Sequence, residues 1–185
     1  MINKVTNRIL FLSPTVQAGK ERESQMKDFK KLKGLGIGAF GKVYKVQHNR
    51  TKQIYAIKQI GKKKLFGQGM TKQIRNEVKI MYKMYHKNII KMINHFEDNQ
   101  NVYLILEYAS GGQLWQLLHK RKKFKEKTVK KIAKELCEAL HYIHSLNPPI
   151  IHRDIKPENI ILDKKGTAKL ADFGWSNFIN SRDIR

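Results

Sequence analysis

The stretch IHRDIKPENIILDKKGTAKLADFG, Ile151 to Gly174, carries three oxygen-bearing side chains at suggestive intervals: Asp154, Asn159 and Asp172. Pro148 and Pro149 stand just before it and stop any helix arriving from the N-terminal side, because proline lacks the backbone N–H and clashes with the preceding turn. The run is therefore read as short strands and loops. What the three side chains could do together depends on what the rest of the chain brings to them.

Upstream, a long helix is expected from about Thr128 to His144, where Val129, Ile132, Ala133, Leu136, Leu140 and Ile143 form a broad apolar stripe. A short helix near Leu114–His119 precedes it, after the AlaSerGlyGly break at 109–112. Before that break the pattern is β: Phe29–Leu35, Lys42–Gln47, Gln53–Ile60 and Val102–Tyr108, separated by turn-forming Gly and Asn. One helix interrupts them, from about Thr71 to Met84, with Ile74, Val78 and Met81 at helical spacing. Glu77 shares that apolar face, which is costly unless a cation meets it. Residues 1 to about 27 are polar and irregular and are read as an extension.

GIGAFG at 36–41 has the GxGxxG spacing, a weak signal alone. A dinucleotide-binding turn would open a helix, but the β-rich run Lys42–Gln47 follows, so the loop joins two strands. Gly36, Gly38 and Gly41 leave room for backbone N–H groups to approach a phosphate; a tight hairpin with no ligand is the plainer reading. In TyrAlaIleLys, 55–58, alternation places Ala56 and Lys58 on one side of a strand. The small residue leaves space for a flat ring, and the ammonium reaches for phosphate oxygens. Lys58 is also the natural partner for Glu77.

In chain order, GIGAFGKV (36–43), YAIK (55–58), a helical Glu77, HRDIKPEN (152–159) and DFG (172–174) resemble the signature set of the protein kinases. The resemblance covers about residues 28–185. It implies an α+β, protein-kinase-like bilobal fold: an N-terminal extension at 1–27, a β-rich small lobe with one helix at 28–108, and the first part of a mainly helical large lobe at 109–185. It implies that the glycine loop and Val43 cover ATP, and that Lys58, held by Glu77, engages the α- and β-phosphates. Asn159 and Asp172 would hold Mg²⁺, as oxygen donors suited to a hard cation. Asp154 would orient the substrate hydroxyl, because a carboxylate is a weak base and charge neutralisation carries most of a loose phosphoryl transfer.

Lys156 implies serine or threonine substrates on proteins, steadying the transferring phosphate. LeuGluTyrAla at 106–109 resembles the hinge, with backbone groups of Glu107 and Ala109 available to the adenine edge. Phe173 and His152, with Met81 and Met92, resemble the apolar stack linking the lobes, and His152 is read as a core histidine. DFGWS (172–176) and YLILEYA (103–109) are similar to the Aurora subgroup, which implies intracellular action in cytoplasm or nucleus, at spindle or centrosome, and an activating or scaffolding protein. Ser110–Gly112 and Gln113 depart from that subgroup's hinge exit, so substrate preference is not carried over.

In the family the activation segment continues past the position of Arg185, through a phosphorylatable Thr and an AlaProGlu motif. The chain is therefore expected to be truncated, with apolar area exposed on the 128–144 helix, no visible partner for Arg153, and turnover well below the usual range of about 1–100 per second. A catalytically impaired fragment that binds nucleotide or a partner protein is the alternative.

The net charge of +23 would attract any polyanion. Specific nucleic-acid recognition is not expected, because no aromatic-interleaved basic stripe or recognition helix accompanies the charge. Cys137 is the single cysteine, so there is no disulfide framework, and a reducing compartment is the default. The apolar run Ile9–Leu12 is too short for a membrane span. His141 and His144 have metal-compatible spacing, but without a third ligand nearby they are read as a polar edge.

Overall fold

The computed structural model describes residues 24–38 and 41–179. The expected extension before residue 24, the tip of the glycine loop at 39–40 and the last residues from 180 lie outside the described residues. The described chain falls into two compact units, one running up to Arg75 and adding Met92–Glu107, the other made of Asn76–Lys91 and the chain from Tyr108 onward.

The first unit is a five-stranded antiparallel sheet. Its strands are β1 (Phe29–Gly38), β2 (Gly41–His48), β3 (Ile54–Gly61), β4 (Met92–Glu97) and β5 (Asn101–Glu107), in the spatial order β1-β2-β3-β5-β4. All four strands read from the sequence are present; β4 is an addition to them. Period-two alternation gives the sheet two faces. One carries the buried cluster of Phe29, Val46, Ile57, Tyr103 and Ile105, flanked by Met26, Tyr44, Tyr55 and Phe96. Phe96 stacks on Tyr103 at 4.6 Å and on Phe29 at 6.2 Å, contacts worth about 0.5–1.5 kcal/mol each beyond the area they bury. Edge strand β1 exposes Lys30, Lys31 and Lys33, charges that discourage pairing with another chain.

A short helix, α1 (Lys62–Gly67), follows β3 and is likewise an addition to the expected elements. Helix α2 spans Thr71–Lys83, as the spacing predicts, and buries Ile74, Val78, Ile80 and Met81. Glu77 is buried with them, at 3% exposure.

The second unit holds β6 (Gly112–Gln113), α3 (Leu114–Arg121), α4 (Glu126–His144), β7 (Ile150–Ile151), β8 (Ile160–Leu162), β9 (Ala168–Leu170) and β10 (Asn177–Phe178). β6, β8 and β9 form one antiparallel sheet, and β7 pairs with β10. The 88–90 segment runs along β9: Leu170 donates to the Asn88 carbonyl, Ile90 donates to the Leu170 carbonyl, and the Asn88 amide donates to Ala168.

The apolar stripe expected on α4 is narrower than its sequence suggests. Ile132, Ala139 and Ile143 are buried, Leu136 and Leu140 are half-buried, and Val129 and Ala133 are exposed. At about 100° per residue, positions 132, 136, 139 and 143 fall in one narrow row, and 129, 133 and 140 fall roughly 60–100° round the helix. Ile132 and Leu136 of the central row pack with Ile160, Leu162 and Ala168, leaving the flanking row at the edge. No helix among the described residues is long and apolar enough to cross a membrane.

Candidate active site

In the first unit, strand register brings several expected residues into line. Gly38 lies opposite Gly41 and Gly36 opposite Val43, so the three glycines of the motif stand on the paired strands β1 and β2, as the β-rich run after them predicts. Val43 in turn faces Lys58 on β3, and Lys58 faces Leu104 on β5. Cross-strand partners share a face, and Ala56 shares it with Lys58 by alternation. Val43, Ala56 and Lys58 therefore stand together on the face opposite the aromatic cluster. Lys58 is buried to 7% exposure, a costly place for an ammonium without compensation. Glu107 ends β5 opposite Tyr55. Ala109 follows in irregular chain, where backbone groups are not taken up by a strand ladder.

In the second unit, a hairpin sets the geometry. β8 and β9 pair Ile160 with Leu170, Ile161 with Lys169 and Leu162 with Ala168. One step further the Ala171 N–H donates to the Asn159 carbonyl at 2.8 Å. Residues 159 and 172, thirteen apart in sequence, thus emerge side by side from the open end of one hairpin. Asp172 has φ +61°, and Arg153 has φ +67°. Left-handed backbone in residues other than glycine costs of order 1–3 kcal/mol and persists where the surroundings impose it.

Asp154 is the hub of the loop after β7. The Asn159 amide nitrogen donates to its backbone carbonyl at 2.8 Å and to its Oδ2 at 2.9 Å, and Lys156 Nζ lies 2.8 Å from the same Oδ2. The hydrogen bond to Asp154 raises the pKa of Lys156 and keeps it cationic. With its nitrogen committed to Asp154, Asn159 has its Oδ1 left to offer. That carbonyl oxygen and the Asp172 carboxylate are hard donors of the type magnesium takes, alongside waters and phosphate oxygens.

Behind the loop, His152 is 1% exposed and meets the Phe173 ring edge-on at 4.7 Å. Its Nδ1 accepts from the Asp154 N–H at 3.3 Å, which leaves Nε2 to donate to the Ala171 carbonyl at 3.1 Å. This assigns the neutral tautomer with its proton on Nε2, and burial lowers the His152 pKa in the same sense. His152 thus ties the chain before Asp154 to the chain before Asp172, as a core histidine.

Three further contacts have no cue in the sequence. Arg153, expected to stand without a visible partner, donates from Nε to the Trp175 carbonyl at 2.6 Å. Gln113 Nε2 donates to the Glu158 carbonyl at 2.6 Å, fixing the turn that carries Asn159. Asn76 Nδ2 donates to Ser176 and Asn177. All three are single polar residues outside any periodic pattern, and only tertiary placement reveals them.

The profile of the protein kinase domain matches residues 29–184. An Aurora kinase of Yarrowia lipolytica is 45% identical over 155 residues, covering 84% of this chain and 41% of its own length. An Aurora kinase of Schizosaccharomyces pombe is 41% identical over 163 residues, covering 88% and 45%. Aurora kinase A-A of Xenopus laevis is 42% identical over 160 residues, covering 86% and 39%. The chain thus spans less than half the length of these relatives. The α+β architecture, the ordered motifs and these likenesses agree: the chain belongs to the protein kinase family, in its Aurora subgroup.

Proposed function

We propose that this chain supplies the nucleotide and hydroxyl-orienting machinery for ATP-dependent phosphorylation of serine or threonine on protein substrates. The observation that carries the reading is the knot at Asp154: one carboxylate fixed at once by Asn159 and Lys156, on a loop whose hairpin also delivers Asp172.

Asp154, held from two sides, orients the acceptor hydroxyl. Lys156, cationic and 2.8 Å away, steadies the transferring phosphate. Asn159 Oδ1 and Asp172 would hold magnesium, which when bound neutralises charge on the phosphate oxygens. Gly36, Gly38 and Gly41 admit the phosphates to backbone N–H groups, Val43 and Ala56 flank the flat base, and backbone groups of Glu107 and Ala109 meet its edge. Lys58 engages the α- and β-phosphates and Glu77 holds it, each carrying a charge that burial penalises unless it is compensated. Action at the spindle or centrosome with an activating or scaffolding protein is part of the same proposal, supported by the subgroup.

The test is equilibrium titration with ATP in the presence and absence of magnesium, followed by phosphate transfer to a serine-containing protein. Saturable, magnesium-dependent uptake is expected, with transfer lost in Asp154→Asn and uptake retained. Absence of saturable uptake by the folded chain would overturn the reading.

A further inference from the structure

Asn76 lies on α2 immediately before Glu77 and belongs to no motif. Its side-chain amide donates to the Ser176 carbonyl at 3.3 Å and to Asn177 Oδ1 at 3.2 Å; a primary amide has two N–H groups, so both bonds form at once. Ser176 is itself a junction. It is 5% exposed, its N–H donates to the Phe173 carbonyl at 3.0 Å, and its hydroxyl donates to the His152 carbonyl at 3.2 Å. Asn177 continues into β10, paired with Ile151 of β7. The chain leaving Asp172 is thus tied on one side to the loop of Asp154 and on the other to Asn76, all within one compact unit.

We infer that Asn76 is a positioning residue: its amide anchors the turn after Asp172 to helix α2, and so sets where the Asp172 carboxylate stands beside Asn159. This rests on the reading of Asp172 and Asn159 as the magnesium-holding pair. The anchor is specific in its chemistry. Both acceptors are oxygens, so the side chain at 76 must donate twice. Aspartate has nearly the same shape and would set a carboxylate against two oxygens.

The test compares Asn76→Asp, Asn76→Ala and Asn177→Ala with the parent chain. Amide exchange is followed without nucleotide, together with Trp175 fluorescence in a Trp115→Phe background. Exchange at 174–178 should quicken about five- to tenfold in both Asn76 variants, the range an ordinary net hydrogen bond supplies. It should quicken less in Asn177→Ala, while exchange in α4 and β8 stays unchanged and Trp175 emission shifts. With nucleotide, the magnesium concentration for half-maximal uptake should rise several-fold, with magnesium-free ATP affinity unaltered. Parental exchange and magnesium response in Asn76→Asp would overturn the inference. So would exchange that quickens uniformly along the chain with a lowered melting temperature, since that marks a stability role only. If the parent chain takes up no Mg·ATP, the proposed function falls, while the exchange and fluorescence measurements still decide the anchor.

Discussion

The three glycines of the loop share a motif but stand in different surroundings, and Gly41→Ala should expose the difference. A Cβ built on Gly41 would lie 2.0 Å from the Gln59 carbonyl oxygen, 2.9 Å from the Gln59 carbonyl carbon and 3.2 Å from the Ile60 Cα. These are backbone atoms of β3, so no side chain can rotate away. Ordinary contact begins near 3.4 Å, so β2 and β3 must part by about 1.4 Å at the point where Lys42 pairs with Gln59. Overpacking of this kind costs about 1–3 kcal/mol, and losing one ladder hydrogen bond adds about 1 kcal/mol. We expect a net destabilisation of about 2–4 kcal/mol, a fall in melting temperature of roughly 4–16 °C for a chain of this size. A Cβ on Gly36 would have nothing within 4 Å, and the backbone there has no left-handed φ, so Gly36→Ala should leave stability unchanged or raise it by about 0.4–1 kcal/mol through the unfolded state. Its cost should show only in nucleotide affinity. Differential scanning calorimetry of both variants, with ATP titration, separates the two roles. Equal melting temperatures for Gly41→Ala and the parent would refute the reasoning, as would a destabilised Gly36→Ala.

Buried Lys62 lies 2.8 Å from Glu97 at the end of the first unit's sheet, so Glu97→Leu should cost about 3–5 kcal/mol, and Lys62→Met combined with it should recover most of the loss; urea unfolding reads both. The His152 pKa is lowered by burial from 6.5, so the folded state binds fewer protons than the unfolded one: this contribution to stability is complete above pH 6.5 and is lost as pH falls through the depressed value. Urea midpoints taken from pH 7.5 down to 5.5 should drop more steeply in the parent than in His152→Asn; parallel curves would contradict the neutral assignment. Burial, helped by the 2.8 Å bond to Asp98 Oδ2, pushes the Tyr103 phenol up to about 12. Its stabilisation is present below pH 10 and fades as pH rises toward 12, and ultraviolet titration should find one tyrosine ionising late, an effect absent in Tyr103→Phe.

Strands β2, β3 and β5 are legible from their β-branched and aromatic residues, of which Tyr44 and Val46, Tyr55 and Ile57, and Tyr103 and Ile105 alternate onto the aromatic-rich face. β1 gives that face Phe29 alone and is legible from the run's composition and the turn-forming glycines that follow it. β4 is not, since MetIleAsnHisPheGlu places polar residues on both faces and a bulge between Met92 and Asn94 breaks the alternation. Helix α1 has six residues, three of them lysines, too few for a stripe to repeat. The α4 stripe is legible in position but not in width, because two adjacent rows of apolar residues look like one broad face until a partner surface chooses between them. β6, β7 and β10 are two residues long, too short for even the strand period of two to repeat.

The site divides along the same physical line. Spacing can encode contact where local geometry converts sequence distance into spatial distance, and the β8–β9 hairpin does this: its register fixes Asn159 beside Ala171, and a slip of one residue would turn every side chain of one strand to the other face. The interval between Asn159 and Asp172 is therefore a structural constant that a motif can preserve. Asn76 and Ser176 are a hundred residues apart, joined through no shared hairpin, and no interval within a short motif can register that contact. The placement of Asn159 and Asp172 at one end of a hairpin is thus readable in advance, while the bonds that hold the candidate site in place depend on packing between distant segments.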